Sequence, residues 1–490
     1  MASVPDPSNP ISDSRRNHFA ITGALLVSAA MFYFGTGLRP VWWLMWFAPL
    51  PVLLVAPRVR ALPSFAMSTL AWFLGSLNMW HYLLGLIRLP VVLVVLSSLV
   101  PGCIFGLAVH LYRALIRRGE LGRAAFAFPA VWVTYEFLNA LSSPHSTFGN
   151  LGYSQMNFLP VLQVVSLTGI WGISFCLFLF PAAVAALLGR PAGKLQRIRL
   201  AATAGGFLLA VLAYGSLRLI SSPVKNSSVK AGLMATNVPG DLLPEDDGSA
   251  LKLLRKYLEH VDELAAQGAR VIVLPEKIAR ISDSGTQQAD ALFQAAAARL
   301  NARIVVGLDR GTATQRFNEA RIYFPDGSVK LYDKHHMIPR LEDVDVPGTS
   351  LTVWNESSGI WGIEICKDMD FPDLSRQYGA RGVGLLLVPA WDFVLDDWLH
   401  GRMAVMRGVE SGFAIARAAK QGLLTVTDNR GRVIAEQSSA AAPFSSLLAE
   451  LPVAHDQTIY VRSGNWFGWL NVAGLLLFLF SRFWKRKSSS

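Results

Sequence analysis

The stretch "GIWGIEICKDMDFPD", residues 359–373, decides how this chain is read. From Gly359 to Ile365 it alternates and ends on a β-branched residue, the pattern of a strand running into a turn. Cys366 sits at the tip, flanked by Glu364, Lys367 and Asp368. A cysteine at a strand end beside charges is either a small buried hydrophobe or a nucleophile. The chain has only two others, Cys103 and Cys176, and both lie in long apolar runs where a small core residue is the ordinary reading.

Strand-like segments continue on both sides of Cys366. "VKAGLMATNV" precedes a helical stretch, "SALKLLRKYLEHVDELAAQGA", and then "RVIVLPE", an apolar run typical of a buried parallel strand. A second helix, "TQQADALFQAAAARLNA", leads into strand "RIVVGLDR". "EARIYFPDGSVKLYDKHH" reads as a hairpin turning at Asp326-Gly327. "GVGLLLVPA", a helix over 397–412, "FAIARAA", "GLLTVTDNRGRVIAE" and "QTIYV" come next, the last expected as a strand. Such alternation predicts a layered α/β domain with helices covering sheets. Glu276 ends one strand, Lys334 follows the hairpin, and Cys366 ends another. Polar residues at strand ends line a common crevice in such domains. Taken singly, Glu276 reads as a helix-capping carboxylate and Lys334 as a solvated loop residue. Together the three supply a base, a cation and a thiol, which is what acyl transfer needs.

The rest of the chain is different in kind. Of 490 residues, 52% are hydrophobic and 16% charged. The net charge of +11 would suggest nucleic acid, but it is unevenly placed. Residues 226–462 hold 25 Lys/Arg and 30 Asp/Glu, and the remainder holds 20 and 4. The basic excess therefore belongs to the apolar part, and no nucleic-acid partner is expected. Apolar runs near 19–36, 41–56, 64–86, 89–112, 124–141, 160–188, 198–220 and 466–484 predict about eight membrane spans. The first run lacks a small-residue cleavage site and is expected to be retained. Arg15, Arg16, Arg58, Arg60, Arg113, Arg117, Arg118, Arg123, Arg190, Lys194, Arg197, Arg199, Arg482, Lys485, Arg486 and Lys487 all fall on one side if eight spans are counted. Only Arg39 and Arg88 occupy the opposite short loops. This split implies cytoplasmic termini and an exported insert. The expected domains are a membrane domain at 1–225, an exported domain at 226–462, and a last helix with a basic tail at 463–490. In an oxidising compartment the lone Cys366 has no internal disulfide partner and is a hazard unless used.

Glu276 in "VLPE", Lys334 in "YDKHHMIP" and Cys366 in "IEICKDMDFP" resemble the Glu-Lys-Cys set of the nitrilase (carbon–nitrogen hydrolase) superfamily. "RMAVMRGVESGFAIARAAKQGLLTVTDNRGRVI" is similar to its C-terminal half, and the likeness spans about 229–452. "LMWFAPLPVLLVAPR" and "FGNLGYSQMNFLPVLQVVSLTGIWGISF" are similar to membrane segments of the apolipoprotein N-acyltransferase family. The resemblance implies an α-helical membrane bundle plus an exported nitrilase-like α-β-β-α sandwich. It implies transfer of a fatty acyl chain from a phospholipid, through a cysteine thioester, to the N-terminal amine of a diacylglyceryl-modified lipoprotein. It also implies residence in the cell inner membrane with the catalytic domain outside the cytoplasm. Glu342 stands where that superfamily often has a second glutamate. The chain departs from the family at Lys367-Asp368, where Tyr-Glu is usual, at Arg340-Leu341, where Phe-Gly is usual, and at "VPAWDF", where "NDAWFG"-like segments are usual.

The expected roles are Glu276 as base, Lys334 and the Lys367 amide as oxyanion donors, Cys366 as nucleophile and Glu342 in support. An apolar route from the bilayer is expected along Met337, Ile338 and Leu341 and along Trp391, Phe393, Val394, Leu395 and Trp398, because acyl chains do not cross water cheaply. Glu136, inside an apolar run, reads as a buried helix–helix hydrogen bond, and Trp80, His81 and Tyr82 as an interfacial belt. No metal and no cofactor are expected, since the adjacent His335 and His336 do not converge on one ion. A monomer is expected. A membrane-anchored amidase and an inactive nitrilase-fold scaffold are the competing readings. Eight spans exceed what an anchor needs, and a scaffold need keep none of Glu276, Lys334 and Cys366. The charge asymmetry predicts that a thiol-labelling reagent added outside the cell reaches a cysteine placed at Ser249 and misses one at Ser489; the opposite pattern overturns the topology.

Overall fold

The computed structural model describes residues 10–189, 193–221, 227–239 and 242–487. Arg190, Ser489 and the expected boundary at 225–226 lie outside them. Among the described residues, five helices are long and apolar enough to cross a membrane: His18–Gly35, Val91–Arg117, Leu121–Ser142, Trp171–Leu188 and Lys194–Ile220. The expectation of about eight spans is corrected to these five. The run at 41–56 carries Pro49 and Pro51 and breaks into Trp42–Trp46 and Leu50–Val55. The run at 64–86 gives a 15-residue helix, Ala61–Gly75, followed by short irregular turns. In the last helix, Trp466–Lys487, the apolar stretch among the described side chains is Trp466–Phe480, shorter than a span.

The polar insert forms two stacked sheets. One runs Phe444–Val453, Ser227–Thr236, Val271–Val273, Arg303–Gly311, Arg316–Tyr323, Val329–Asp333, with Arg280–Ser282 pairing beside Arg303–Gly311. The other runs Val433–Ser438, Leu423–Thr427, Ala414–Lys420, Val383–Trp391, Gly359–Ile363, Val353–Glu356. Leu385 and Leu387 pack with Val271, Val273 and Val305 between the sheets, while Leu386 and Val388 pack on Leu374, Tyr378 and Ala404. Both faces of this strand are buried, which is why "GLLLVP" is continuously apolar. Helices Asp247–Ala266 and Asp283–Leu300 close the first sheet, and Pro372–Ala380 and Asp397–Ser411 close the second. The result is an α-β-β-α sandwich. "QTIYV" is not the expected strand: Ile459–Ser463 is a short helix capped by Thr458. The closing strand is Phe444–Val453 instead, whose pairing with Ser227–Thr236 no local pattern announces.

The central strands of each sheet are parallel. The residues just beyond Val271–Val273, Gly359–Ile363, Val383–Trp391 and Ala414–Lys420 therefore gather at one end of the sandwich. Two antiparallel reversals bring Val329–Asp333 to the same end. Helix Asp397–Ser411 also faces the other way. Its Leu399, Met403, Met406 and Val409 join one core with Leu162, Val165 and Ile170 of the helical region. The Ile170 amide donates to Glu410 Oε1 (2.8 Å), and Thr147 Oγ1 donates to the Asp370 carbonyl (2.8 Å).

Gly412 ends this helix with φ 81°, and a Cβ there would stand 1.9 Å from the Asp456 carbonyl oxygen. Gly119 has φ 76° with no atom within 4 Å of a Cβ. Gly119→Ala should cost only the left-handed penalty of about 1 kcal/mol. Gly412→Ala should cost more, because backbone must also move. Thermal unfolding of the purified full-length protein checks this, and equal losses would show the crowding to be harmless.

Candidate active site

Lys334 is wholly buried, and its ammonium is the centre of the site. Lys334 Nζ donates to Glu276 Oε1 and to Glu342 Oε2, both at 2.8 Å. Asn318 Nδ2 donates to the same two carboxylates, at 2.6 Å to Glu276 and 2.8 Å to Glu342. Lys277 Nζ lies 2.9 Å from Glu342 Oε1 and donates to Asp345 Oδ2 at 2.6 Å. Burial works against each charge, but the partners win. Glu276 and Glu342 hold Lys334 well above the ordinary lysine range. Lys334 and Lys277 hold Glu342 down at about 2. Removing one partner from such a buried pair typically costs about 3–5 kcal/mol.

Cys366 has φ 43°, an unusual value for a non-glycine residue that turns the chain sharply at the strand end. Its Sγ lies 3.5 Å from the Trp391 carbonyl oxygen. Burial and then the charge of Glu276 push the thiol well above its ordinary range, with Lys334 pulling the other way. Both effects favour the thiol over the thiolate. Asp368 pins this turn to the segment after Lys334. It accepts from Tyr332 Oη (2.8 Å) and from the His336 amide (2.8 Å), and it is fully buried.

Glu276, Lys334, Cys366 and Glu342 are thus brought to one place. Glu342 is buried although it opens an acidic run with Asp343 and Asp345. The Lys367 amide stands in the same tight turn as Cys366, but its side chain leaves the site: Nζ lies 3.0 Å from His145 Nδ1 and 3.6 Å from Asp370 Oδ2. Met337, Ile338, Trp391, Phe393 and Trp398 are half-buried. Leu341, Val344, Val394 and Leu395 are exposed, at 61%, 65%, 56% and 41%. Glu136 is buried and accepts from the Leu151 amide (3.0 Å) at the start of the short helix Leu151–Gln155, a buried bond between two helices. Tyr82 is not part of a belt: it is buried and donates to Asp396 of the Trp391–Trp398 loop.

Asn318, Lys277, Asp345 and Asp368 escape a sequence reading, since each sits in an ordinary strand or loop context. Lys420 escapes it too. Its Nζ lies 3.5 Å from the Trp391 ring centroid and donates to the Lys277 carbonyl (2.6 Å), fixing the loop beside Glu276. Among the described residues no cluster of His, Cys, Asp and Glu is placed to hold a metal ion.

A buried Glu-Lys-Cys constellation at the carboxyl ends of a two-sheet sandwich is the arrangement of a carbon–nitrogen hydrolase, and residues 247–462 match the carbon–nitrogen hydrolase family model. Residues 20–183 match the model of the apolipoprotein N-acyltransferase N-terminal domain. An apolipoprotein N-acyltransferase of Geobacter metallireducens is 26% identical, covering 93% of this chain and 92% of that protein. One of Chromobacterium violaceum is 24% identical, covering 98% of each. An amidase from Nesterenkonia sp. superimposes with a TM-score of 0.39 at 21% identity, covering 50% of this chain and 95% of its own. The chain belongs to the apolipoprotein N-acyltransferase family, within the nitrilase superfamily.

The Trp391–Trp398 loop is held by a second ionic group. His400 Nδ1 lies 3.0 Å from Asp396 Oδ2, with Phe148 of the helical region 5.7 Å away, ring to ring. Burial opposes both charges. His400 and Tyr82 still hold Asp396 at about 2, and Asp396, with Asp370 and Asp392 behind it, raises His400 to about 9. Because the folded value of His400 is raised, its stabilisation is full below about pH 6.5 and is lost as pH rises through about 9. The melting temperature of the full-length protein should fall over that window, and His400→Gln should flatten the fall. An unchanged slope in the variant would assign the loss to other groups.

Proposed function

We propose that this chain moves a fatty acyl group from a membrane phospholipid to the N-terminal amine of a lipid-modified cysteine of apolipoproteins, in two covalent steps on Cys366. The observation that carries the reading is the buried Lys334 ammonium held between Glu276 and Glu342 with the thiol inside their field. In the first step Glu276 takes the Cys366 proton and the sulfur attacks the ester carbonyl carbon. Lys334 and the Lys367 amide receive the oxyanion, whose loss of one donor typically costs about 10²–10³ in rate. The ester C–O bond breaks, the lysophospholipid leaves with the proton from Glu276, and a thioester remains. In the second step the acceptor nitrogen attacks the thioester, Glu276 takes a proton from it, the C–S bond breaks and the amide forms. The proton returns to sulfur. Glu342 and Asn318 act as positioning residues: they keep Lys334 charged and fixed.

The domain limits proposed are 1–225, 226–462 and 463–490, with the thiol opening outside the cytoplasm on an inner-membrane enzyme that acts as a monomer. The exposed apolar residues near the site, Val394 and Leu395 on one loop and Leu341 on the other, support entry of acyl chains from the outer leaflet. The amidase reading is not favoured, because a hydrolase acting on soluble amides has no use for such a rim. Nor is an inactive scaffold, since buried charges kept without a task only destabilise.

Mass spectrometry of the intact chain offered a phospholipid, or a short water-soluble ester, tests the proposal. The wild type should gain one acyl group from either donor, released by hydroxylamine. Cys366→Ala should gain none. Replacing Phe393, Val394 and Leu395 with Ser should slow acylation by phospholipid at least about tenfold and spare the short ester. Full transfer activity in Cys366→Ala would overturn the mechanism, and equal loss on both donors would reduce the loop to a structural support.

A further inference from the structure

The end of helix Lys194–Ile220 meets the sandwich at a cavity of about 500 Å³ that includes none of Glu276, Lys334 and Cys366. Its lining includes Arg218, Tyr214 and Leu217 from the helix and Arg430, Asp456 and Gln457 from the sandwich. The two guanidinium groups are each more than nine-tenths buried and share one carboxylate: Arg218 Nη2 lies 3.1 Å from Asp456 Oδ2, and Arg430 Nε lies 2.8 Å from the same oxygen. Their remaining partners are neutral. Arg218 Nη1 donates to Gln163 Oε1 (2.8 Å), and Arg430 Nη1 donates to the Arg218 carbonyl and to Ser221 Oγ (3.3 Å). Arg432 caps the same helix end through the Leu219 carbonyl and is matched by its own Asp428 at 3.0 Å. The cavity thus holds a net positive charge within its wall.

Its rim has the opposite character. Leu217 and Ile459 are 68% and 53% exposed, and Ile220, just beyond the lining in the last turn of the same helix, is 79% exposed. The helix has 27 residues, about 40 Å, against a hydrocarbon core of about 30 Å, so its last turns reach the headgroup layer. A cationic wall at headgroup depth with apolar residues beside it complements an anion carrying acyl chains. We propose that this cavity binds the headgroup of an anionic phospholipid of the membrane leaflet facing the sandwich, as a site separate from the acyl-transfer centre. The headgroup phosphate completes the charge of Arg218 and Arg430, and the chains lie along Leu217 and Ile220. The occupant ties the last helix before the sandwich to the turn Asp428–Arg432.

Binding to the delipidated full-length protein in a neutral detergent tests this, with phosphatidylglycerol, phosphatidylcholine and inorganic phosphate as separate probes. Native mass spectrometry should show one phosphatidylglycerol retained per chain in preference to phosphatidylcholine, with a matching rise in melting temperature. Gln457→Glu, an almost isosteric change on the exposed rim, should weaken phosphatidylglycerol about fivefold. Leu217→Glu should do the same from the other side of the cavity. Both should leave acylation of Cys366 by a short soluble ester unchanged, which separates this site from the catalytic proposal. Equal retention of both lipids would overturn the inference. So would unaltered phosphatidylglycerol binding in a folded Gln457→Glu variant, or displacement of the lipid by millimolar phosphate.

Discussion

A lysine ammonium with no access to water must be compensated within hydrogen-bond reach, or it gives up its proton. Lys334 meets that demand with carboxylates from two segments, Glu276 after one strand and Glu342 in the loop after its own. Asn318 bridges both carboxylates from a third segment. The strands that carry them must therefore end at one place and in one register. The two-sheet sandwich meets this need by bringing the ends of parallel strands together, and Asp368 extends the constraint to the turn that carries Cys366. The same low-dielectric surroundings, with the charge of Glu276, push the thiol above its ordinary range.

The helical region is more than an anchor. Its core continues into helix Asp397–Ser411, so one face of that helix closes the second sheet and the other is buried against membrane-domain side chains. The loop before this helix carries Trp391, whose carbonyl oxygen lies against Cys366, and Asp396, which Tyr82 and His400 hold. Chemistry on a lipid needs a thiol reachable from the bilayer without exposing acyl chains to water. The loop beside the thiol packs directly on the helical region through Tyr82 and Phe148.

The Glu276, Lys334 and Cys366 group was legible because each residue ends a strongly patterned segment. Glu342 was legible only through the superfamily resemblance, since a glutamate in an acidic run carries no mark of burial. Asn318, Lys277 and Lys420 were not legible, because a polar residue in a strand looks alike whether its side chain meets water or a buried carboxylate. Lys367 was half legible: its position beside the nucleophile is set by the chain, but the turn of its side chain toward His145, more than two hundred positions away, is not. Tyr82 failed for the same reason, since an aromatic residue at the end of an apolar run suits an interface until a distant aspartate is placed against it.

Hydrophobic patterning by itself determined that an apolar helical region encloses a polar α/β insert. It also determined where most strands and helices of that insert lie, since burial of one or both faces of an element leaves a periodic mark along the chain. The number of helices able to cross a membrane was not determined in this way. An apolar run of the right length counts as a span until Pro49 and Pro51 or a cluster such as Ser76–Asn78 breaks it. Only the tertiary structure decided the pairing of Phe444–Val453 with Ser227–Thr236, the helical state of Ile459–Ser463, and the seat of helix Asp397–Ser411 on the membrane region. These depend on contacts between residues far apart in the chain, whose energies arise only when burial and charge compensation are satisfied together.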